Sequence, residues 1–360
     1  MKEFHTLVFI GRFQPLHKGH EAVIKQAMEQ AEQVMIIVGS AHSPRNTRNP
    51  FTFEERKRMI KAVFPQPEVV VLPVSDYPSD HKWVAAVQSL VSSNMKHTPD
   101  PQKWIAAVQT LVSSNMKHTP DPYRIGLIGH SKDHTSFYLN MFPLWDSVDV
   151  ANYKGLNSTD IRKDIFNQKD NTIISHMSNE ARRIMMDSVN ADCRVWWDML
   201  LREHQIIEES KAAWKDAPYP VQFMTVDAVV VQSGHVLLVK RKSAPGIGQW
   251  ALPGGFLNSN ERIIDGVFRE LKEETKIKVP EKVLRGSIKD SHVFDNPNRS
   301  TRGRTVTFAY YIDLGFDEKL PKVTGTDDAE KAVWVPFNKI LQEKMFEDHA
   351  MIIDHFCTIF

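Results

Sequence analysis

The sequence predicts two domains of different fold classes, an α/β domain with a doubly wound parallel sheet followed by an α+β domain. Up to about residue 175, short apolar runs alternate with amphipathic helical patterns, which is typical of a parallel sheet. After about residue 222 the pattern changes to paired β-branched runs with one strong helix. The length of 360 residues agrees with two domains, since roughly 150 residues make one.

The predicted elements of the first domain follow one another in a regular order. The run "TLVFI" is a buried strand over residues 6–10, and a helix begins near residue 19. The strands "VMIIVG" and "VVVLPV" flank a second helix, at whose start Thr52 and Glu55 have the spacing of a capping box. The segment 82–101 recurs at 103–122 with two substitutions, so we expect a local tandem duplication, and either copy could be the insertion.

The second domain is predicted from a hairpin, one helix and two further strands. Two β-branched runs surround Ser233 and Gly234, which is a hairpin signal. A helix follows over 260–275, and then come the strands "TVTFAYYIDL" and "AVWVPF". A Trp-rich helical stretch between the domains ends in "KDAPYPVQ". The predicted limits are 1–205 for the first domain, 206–222 for a linker and 223–360 for the second domain.

The composition excludes several classes of protein. A formal net charge of +1 gives no basic excess for a nucleic-acid partner, so any anionic ligand must be held by local sites. No apolar run reaches the ~18 residues of a membrane span, and the N-terminus lacks a signal-peptide pattern. Cys193 and Cys357 cannot build a disulfide framework. We expect a cytoplasmic protein without a nucleic-acid or membrane partner, and the sequence leaves open whether it is a homo-oligomer.

A first candidate site is the stretch "GRFQPLHKGH" over residues 11–20, between the first strand and the first helix. In parallel sheets, ligands bind beyond the carboxyl ends of strands, and helix N-termini attract anions. His17 and His20 lie three residues apart, so both can donate to one anion. These features predict a phosphate site. The alternative is that the histidines only cap the helix.

This stretch resembles the HxGH signature of the nucleotidyltransferase superfamily. Together with "NPFT", "SDYPSDHKW" and "NSTDIR", it resembles the archaeal type of nicotinamide-mononucleotide (NMN) adenylyltransferase over about residues 5–175. The resemblance implies a Rossmann-like fold and adenylyl transfer from ATP to NMN, giving NAD and pyrophosphate, with Mg²⁺ bridging phosphate oxygens. The alternative for this domain is another adenylyltransferase, such as one of the phosphopantetheine type.

The resemblance also implies roles for residues of this sequence. His17, His20 and Arg162 would be the catalytic residues that hold the ATP phosphates. Asp76 would accept from the nicotinamide carboxamide and Trp83 would stack on the ring, unless Trp83 is a core residue of an amphipathic helix. The further implied contacts are those of Gly11, Arg12, Phe13, Gly39, Ser158 and Thr159 with ATP, and of Asn49 with NMN.

A second candidate site is the predicted helix 260–275. Glu270, Glu273 and Glu274 fall on one side of it, beside an apolar stripe. Like charges at such spacings cost roughly 0.2–0.5 kcal/mol each, so the glutamates do not serve helix stability. A hard divalent cation with oxygen ligands would explain them. The alternative is a solvated charged face.

The spacing from Gly255 through Glu261 to "RELKEE" (269–274) resembles the Nudix box, and the resemblance to Nudix hydrolases covers about 223–350. It implies that Glu270, Glu273 and Glu274 bind Mg²⁺ or Mn²⁺, with Glu273 and Glu274 as catalytic residues. Arg269 would pair with a carboxylate and face the substrate. Lys276 departs from the family, which has glycine there, and costs on the order of 1 kcal/mol if the left-handed helix end is kept.

The segment 293–312 resembles the ADP-ribose pyrophosphatase branch, which implies hydrolysis of ADP-ribose to AMP and ribose 5-phosphate. Arg299, Arg302 and Arg304 are candidates for substrate phosphates or for a solvated loop. The fused arrangement resembles bifunctional NMN adenylyltransferase/Nudix proteins. The alternatives for the second domain are a different Nudix substrate or a ligand-sensing module without catalysis.

Overall fold

The computed structural model describes residues 2–95, 124–130, 141–151, 153–168, 175–190, 194–325 and 329–359. Two compact units are present, Met1–His42 with Phe51–Arg194, and Ser43–Pro50 with Val195–Phe360. The second copy of the duplication, 103–122, lies outside the described residues, as does Cys193. The domain limits expected from the sequence stay predictions.

The first unit is built around a five-stranded sheet of order β3-β2-β1-β4-β5, in which all four strand pairs are parallel. This confirms the predicted Rossmann-like α/β class. Its elements are β1 (Phe4–Gly11), α1 (Lys18–Gln30), β2 (Ala31–Val38), α2 (Phe53–Val63), β3 (Val69–Pro73), α3 (Asp80–Asn94), β4 (Ile125–Gly129), β5 (Asp146–Asp149), α4 (Ser158–Phe166) and α5 (Asn179–Asn190).

The two central strands explain where the first site lies. Residues 7–10 of β1 and 34–38 of β2 are apolar and buried, as in a parallel strand that is covered on both faces. The strand order reverses between β1 and β4, and such a switch point leaves a crevice at the carboxyl ends of the strands. The stretch 11–20 leaves β1 at that crevice.

The second unit contains a mixed sheet of order β10-β11-β6-β7-β12, to which β8 and β9 add by pairing with β7 and β6. The pair β11–β6 is parallel and the other pairs are antiparallel, which confirms the predicted α+β class. The elements are α6 (Arg194–Ala213), β6 (Gln222–Gln232), β7 (His235–Arg241), β8 (Trp250–Ala251), β9 (Gly254–Phe256), α7 (Ile263–Thr275), α8 (Glu281–Gly286), β10 (Ile288–Phe294), β11 (Arg304–Asp313), β12 (Ala329–Pro336) and α9 (His349–Cys357), with 3₁₀ turns at Phe337–Lys339 and Gln342–Lys344.

Strand β6 divides the core of this unit into two layers. Val226, Ala228 and Val230 pack in one cluster with apolar residues of α7. Val229 and Val231 point the other way and pack in a cluster with residues of α9. This follows from the two-residue period of a strand, which sends neighbouring side chains to opposite faces. The core therefore fixes the rotation of α7 and, with it, the direction of its glutamates.

The structure confirms two local predictions from the sequence, a hairpin turn and a helix capping box. Ser233 and Gly234 both have positive φ, 46° and 74°, as the type I′ hairpin turn requires. Thr52 accepts from the Glu55 N–H at 3.3 Å, while the Glu55 carboxylate accepts from the Thr52 N–H at 2.7 Å, so the capping box of α2 is complete. Over the described residues, the helices include none whose length and apolar character would suit a membrane span.

The N-terminal end of helix α7 differs from the prediction, and its C-terminal end agrees with it. It begins at Ile263 rather than near 260, because the Glu261 carboxylate bonds back to the Asn258 N–H at 2.8 Å and holds a turn there. It ends at Thr275, and the C-cap residue Lys276 has a left-handed φ of 45° and ψ of 35°. The geometry that favours glycine is therefore kept, although the residue is lysine.

We expect Lys276→Gly to raise the free energy of unfolding by about 1 kcal/mol, because glycine adopts the left-handed conformation without a Cβ clash. Lys272→Gly, inside the same helix, is the matched control and should lower it by about 1 kcal/mol. Urea denaturation of both variants measures the two effects. Equal destabilisation by both glycines would contradict the assignment of strain to Lys276.

Candidate active sites

The two histidines of the first site cap helix α1 and also stack on each other. The Nδ1 atom of His17 accepts from the N–H groups of Gly19 and His20, at 3.1 and 3.3 Å. The Nδ1 atom of His20 accepts from the His17 N–H at 3.4 Å, and the ring centroids are 3.6 Å apart. A neutral ring that accepts at Nδ1 carries its proton on Nε2. Capping therefore leaves each ring as an N–H donor at Nε2, so capping and anion binding are compatible roles.

Two aromatic residues hold His20 in place. The ring of Phe13 lies 4.8 Å from that of His20 and packs edge to face with Phe9 at 5.2 Å. Phe13 is buried and has a positive φ of 51°. A Cβ on Gly11 would lie 3.1 Å from the Phe13 ring, which explains the glycine there. Phe13 thus supports the histidine with its side chain.

Helix α4 brings its arginine to the same loop. Arg162 is buried, and its guanidinium donates to the Gln14 carbonyl at 2.9 Å and to the Thr159 hydroxyl at 3.2 Å. The side chain of Gln14 in turn bonds both the N–H and the C=O of Phe51, at 3.0 and 2.8 Å. Three segments far apart in sequence are therefore joined beside the histidines. Asn157 caps α4 by accepting from the Asp160 N–H at 2.9 Å.

Arg56 is a central residue of this site that the sequence analysis did not select. Its buried guanidinium donates to the carbonyls of Arg12, Gly39 and Ser40, at 2.8, 2.8 and 3.0 Å. Burial lowers the pKa of Arg56 to about 10, and Asp76 partly opposes this shift, so the group stays protonated at neutral pH. Its position three and four residues before the buried Met59 and Ile60 was the available signal, because an arginine on the apolar face of a helix needs buried acceptors.

The residues predicted to bind NMN are found in different surroundings. Asp76 accepts from the Ser40 hydroxyl at 3.0 Å, beside the segment that Arg56 anchors. Trp83 packs edge to face with Phe142 at 6.0 Å and borders a core cluster, which is the alternative considered for it. Asn49 belongs to the 43–50 segment of the second unit, and its buried Oδ1 has no hydrogen-bond partner in the structure.

Arg269 organises the carboxylates of the second site. Its guanidinium donates to Glu261 at 2.6 and 2.9 Å, to Glu270 at 2.8 Å and to Glu273 at 3.1 Å. A further bond of 3.1 Å to the Phe256 carbonyl ties the helix to β9. Arg269 therefore orients the set, and its role toward a substrate stays a prediction.

Glu274 and two glycines complete the arrangement. Glu274 accepts from the Gly254 N–H at 3.0 Å. Burial raises the pKa of Glu274 to about 8, and the nearby Glu270 and Asp227 act in the same direction. A Cβ on Gly255 would lie 2.5 Å from Oε1 of Glu270, so only glycine leaves room for that carboxylate. Burial and mutual repulsion destabilise the charged forms of these carboxylates. A bound cation would offset both effects.

The donor set therefore fits a hard divalent cation, whose preferred ligands are carboxylate oxygens. Within the described ranges, no three His, Cys, Asp or Glu side chains already converge as a metal cluster. In this structure Arg269 bonds Glu270 and Glu273 while Glu274 bonds Gly254, so a cation would draw these three carboxylates together.

The three arginines after β10 have three different surroundings. Arg299 is buried in a two-bond ion pair with Asp348, at 2.8 and 2.9 Å, so its side chain does not lie in a solvated loop. The Arg302 guanidinium lies 5.1 Å from the ring of Phe256, on the strand that leads to the glutamates. Arg304 bonds the Asp295 carbonyl.

Comparisons with known proteins find relatives for both parts of the chain. Residues 8–164 match the cytidylyltransferase-like family, and residues 222–356 match the NUDIX domain family. A nicotinamide/nicotinic acid mononucleotide adenylyltransferase of Acinetobacter baylyi is 35% identical over 173 residues, which are 47% of this chain and 79% of that protein. An ADP-ribose pyrophosphatase of Methanocaldococcus jannaschii is 33% identical over 130 residues, 36% of this chain and 70% of that protein.

A solved structure resembles the chain over its whole length. It is a bifunctional NMN adenylyltransferase/ADP-ribose pyrophosphatase from Francisella tularensis in complex with AMP and a Mn ion. It is 31% identical, covers 99% of both chains and gives a TM-score of 0.84. With two family matches, two relatives and a full-length structural match, the chain belongs to the family of bifunctional NMN adenylyltransferase/ADP-ribose pyrophosphatases.

Proposed function

We propose that the first unit transfers the adenylyl group of ATP to NMN, giving NAD and pyrophosphate, and that the second unit hydrolyses ADP-ribose to AMP and ribose 5-phosphate. The observation that carries the first half is the pair of stacked histidines at the N-terminus of α1, beside buried Arg162. The observation that carries the second half is the set of glutamates that Arg269 orients.

The chemistry of adenylyl transfer requires little beyond positioning and charge stabilisation. The nucleophile is the phosphate of NMN, which is already ionised at neutral pH, so no general base is needed. In the proposed arrangement, His17 and His20 donate from Nε2 to the ATP phosphates, and the positive end of the α1 dipole favours the same anion. Arg162 and Arg12 add positive charge, and Mg²⁺ supplies further charge neutralisation when it is bound. Gly11, Phe13, Gly39, Ser158 and Thr159 complete the proposed ATP site.

For NMN, the proposal rests on Asp76, Asn49 and Trp83. Asp76 is held by its hydrogen bond with the Ser40 hydroxyl. Its carboxylate also interacts electrostatically with the buried guanidinium of Arg56. Its carboxylate would accept from the nicotinamide carboxamide. Asn49 has a buried oxygen that a ligand donor would satisfy. Stacking by Trp83 would require the ring to expose a face while keeping its edge contact with Phe142.

For ADP-ribose, Glu270, Glu273 and Glu274 would hold Mg²⁺ or Mn²⁺, which supplies polarisation of the phosphate and activation of water. Arg269 keeps the carboxylates oriented, and Arg302 and Arg304 are the proposed phosphate ligands. A phosphopantetheine-type first domain or a ligand-sensing second domain is not favoured, because the relatives are NMN adenylyltransferases and an ADP-ribose pyrophosphatase. The proposal includes small-molecule substrates only and a cytoplasmic location, the latter supported by the presence of two cysteines in 360 residues.

We expect His20→Ala to lower NAD synthesis by at least about 100-fold, since one donor to a developing charge is lost. Hydrolysis of ADP-ribose by the same preparation should be unchanged, because the glutamates lie in the other unit. Both rates are measured on the folded, monodisperse variant. Loss of both activities to the same degree would contradict separate sites.

Glu273→Gln should give the opposite result. It keeps the shape of the side chain and removes one charge from the proposed cation ligands, so hydrolysis should fall by several orders of magnitude while NAD synthesis persists. Titration with Mn²⁺ provides the second readout. If hydrolysis and its metal dependence stay as in the wild type, the glutamates form only a solvated face.

Gly255→Ala tests the geometry of the carboxylates without removing one. The added Cβ would meet Glu270 at 2.5 Å and displace it. We expect the Mn²⁺ concentration for half-maximal hydrolysis to rise about 10- to 100-fold, as for other changes around metal ligands. Gly286→Ala is the matched control, since a Cβ there meets nothing within 4 Å and activity should be unchanged. An unchanged metal requirement in Gly255→Ala would place the cation away from Glu270.

A further inference from the structure

Strand β10 lies at an edge of the second unit's sheet and is open to solvent on both faces. Over the part of the chain that the structure describes, its neighbour in the sheet is β11 alone. The residues from 289 to 293 are all exposed, whereas a strand that packs on a core normally buries every second residue. An edge strand presents a row of backbone N–H and C=O groups with which another strand can pair. This edge is therefore a candidate surface for a second chain.

Two side chains of opposite character stand on the face of β10 that packs toward α9. The ring centroid of His292 lies 4.2 Å from that of His355 on α9 and 4.9 Å from that of Phe294. Asp290 precedes His292 by two residues, so it lies on the same face, and it interacts electrostatically with His355. Between them, the Ser291 N–H donates to the Asp290 carboxylate at 2.7 Å. The open edge thus presents a carboxylate and an imidazole two positions apart.

This spacing makes the edge complementary to itself in one register. Two antiparallel copies of β10 related by a two-fold axis keep the same face on the same side of the sheet only when the axis passes through a residue. With the axis at Asp290 or at His292, that residue lies opposite its own copy, and like charges directly opposite are destabilising. With the axis at Ser291, Asp290 of each copy lies opposite His292 of the other. The imidazole can then donate to the carboxylate, twice in each dimer.

The same register suits the other face of the strand. Lys289 would lie opposite Val293, which is 44% exposed, and the aliphatic part of a lysine side chain can cover such a residue. Bulges and charges commonly protect edge strands from pairing. Here the bulge comes before Asp290, and the charges attract in this register. We propose that β10 pairs with β10 of a second copy of this chain, antiparallel and with the two-fold axis at Ser291, so that the sheets of two second units become continuous.

Sedimentation velocity of the full-length chain over a range of concentrations tests the pairing. The dissociation constant of the dimer should rise about 10- to 100-fold in Asp290→His, which places imidazoles opposite each other, and in His292→Asp, which does the same with carboxylates. The double variant Asp290→His/His292→Asp exchanges the two partners. It should bring the dissociation constant back to within about threefold of the wild type. Glu318→His removes an exposed charge between β11 and β12 and is the matched control, which should dimerise like the wild type.

A cysteine at the proposed axis gives a second test, which does not depend on charge. Residues directly opposite on antiparallel strands have Cα atoms about 4.5–5.5 Å apart, a distance that a disulfide can span. In a background of Cys193→Ser and Cys357→Ser, Ser291→Cys should form a covalent dimer with oxidised glutathione. Lys289→Cys should not, because residue 289 lies opposite residue 293 of the other copy. A wild-type chain that stays monomeric, a double variant that does not regain the dimer, or equal cross-linking of the two cysteine variants would overturn the proposal.

Discussion

The first unit depends on one buried guanidinium. Arg56 bonds the carbonyls of Arg12, Gly39 and Ser40, which follow the two central strands of the sheet. A buried charge is costly unless its donors are satisfied, and buried carbonyls are costly unless they are bonded. Arg56 meets both conditions at once, so the segments after β1 and β2 are fixed relative to each other. The histidines of α1 follow directly from one of these segments, which makes their geometry a consequence of this interaction.

Arg269 has the corresponding role in the second unit, but its acceptors are carboxylates rather than carbonyls. It gathers Glu261, Glu270 and Glu273, while Glu274 is held separately by the backbone of Gly254. Without a cation, the helix carries repulsion that the arginine only partly offsets. The two glycines before the helix permit the close approach of strand and carboxylates. Arg269 therefore orients part of the set before a ligand binds, and a cation would draw the three proposed ligands together and offset their charge.

Both proposed sites concentrate hydrogen-bond donors and positive charge locally, as the near-zero net charge of the chain requires. A chain with a formal net charge of +1 cannot attract nucleotides through its overall field, so it must concentrate donors locally. The first unit does so with a helix N-terminus and two imidazoles, and the second with arginines beside proposed cation ligands. Two of the proposed substrates, ATP and ADP-ribose, have in common an adenosine linked to a triphosphate or diphosphate, and in the proposed arrangement each site would meet the phosphates with its strongest charges.

The sequence by itself determined the elements and the motifs. The two strand rhythms, the Thr52–Glu55 capping box and the turn at Ser233 and Gly234 depend on residues a few positions apart, so local patterns predicted them. Only the tertiary structure decided the partners of the buried polar groups. Arg56 with the strand-end carbonyls, Arg162 with Gln14, and Glu203 with Gly246 join segments that the chain separates widely. The physical reason is that a hydrogen-bond partner is chosen by strand order and packing, which bring distant loops to the same place, whereas capping and periodicity are settled within a turn or two of the chain.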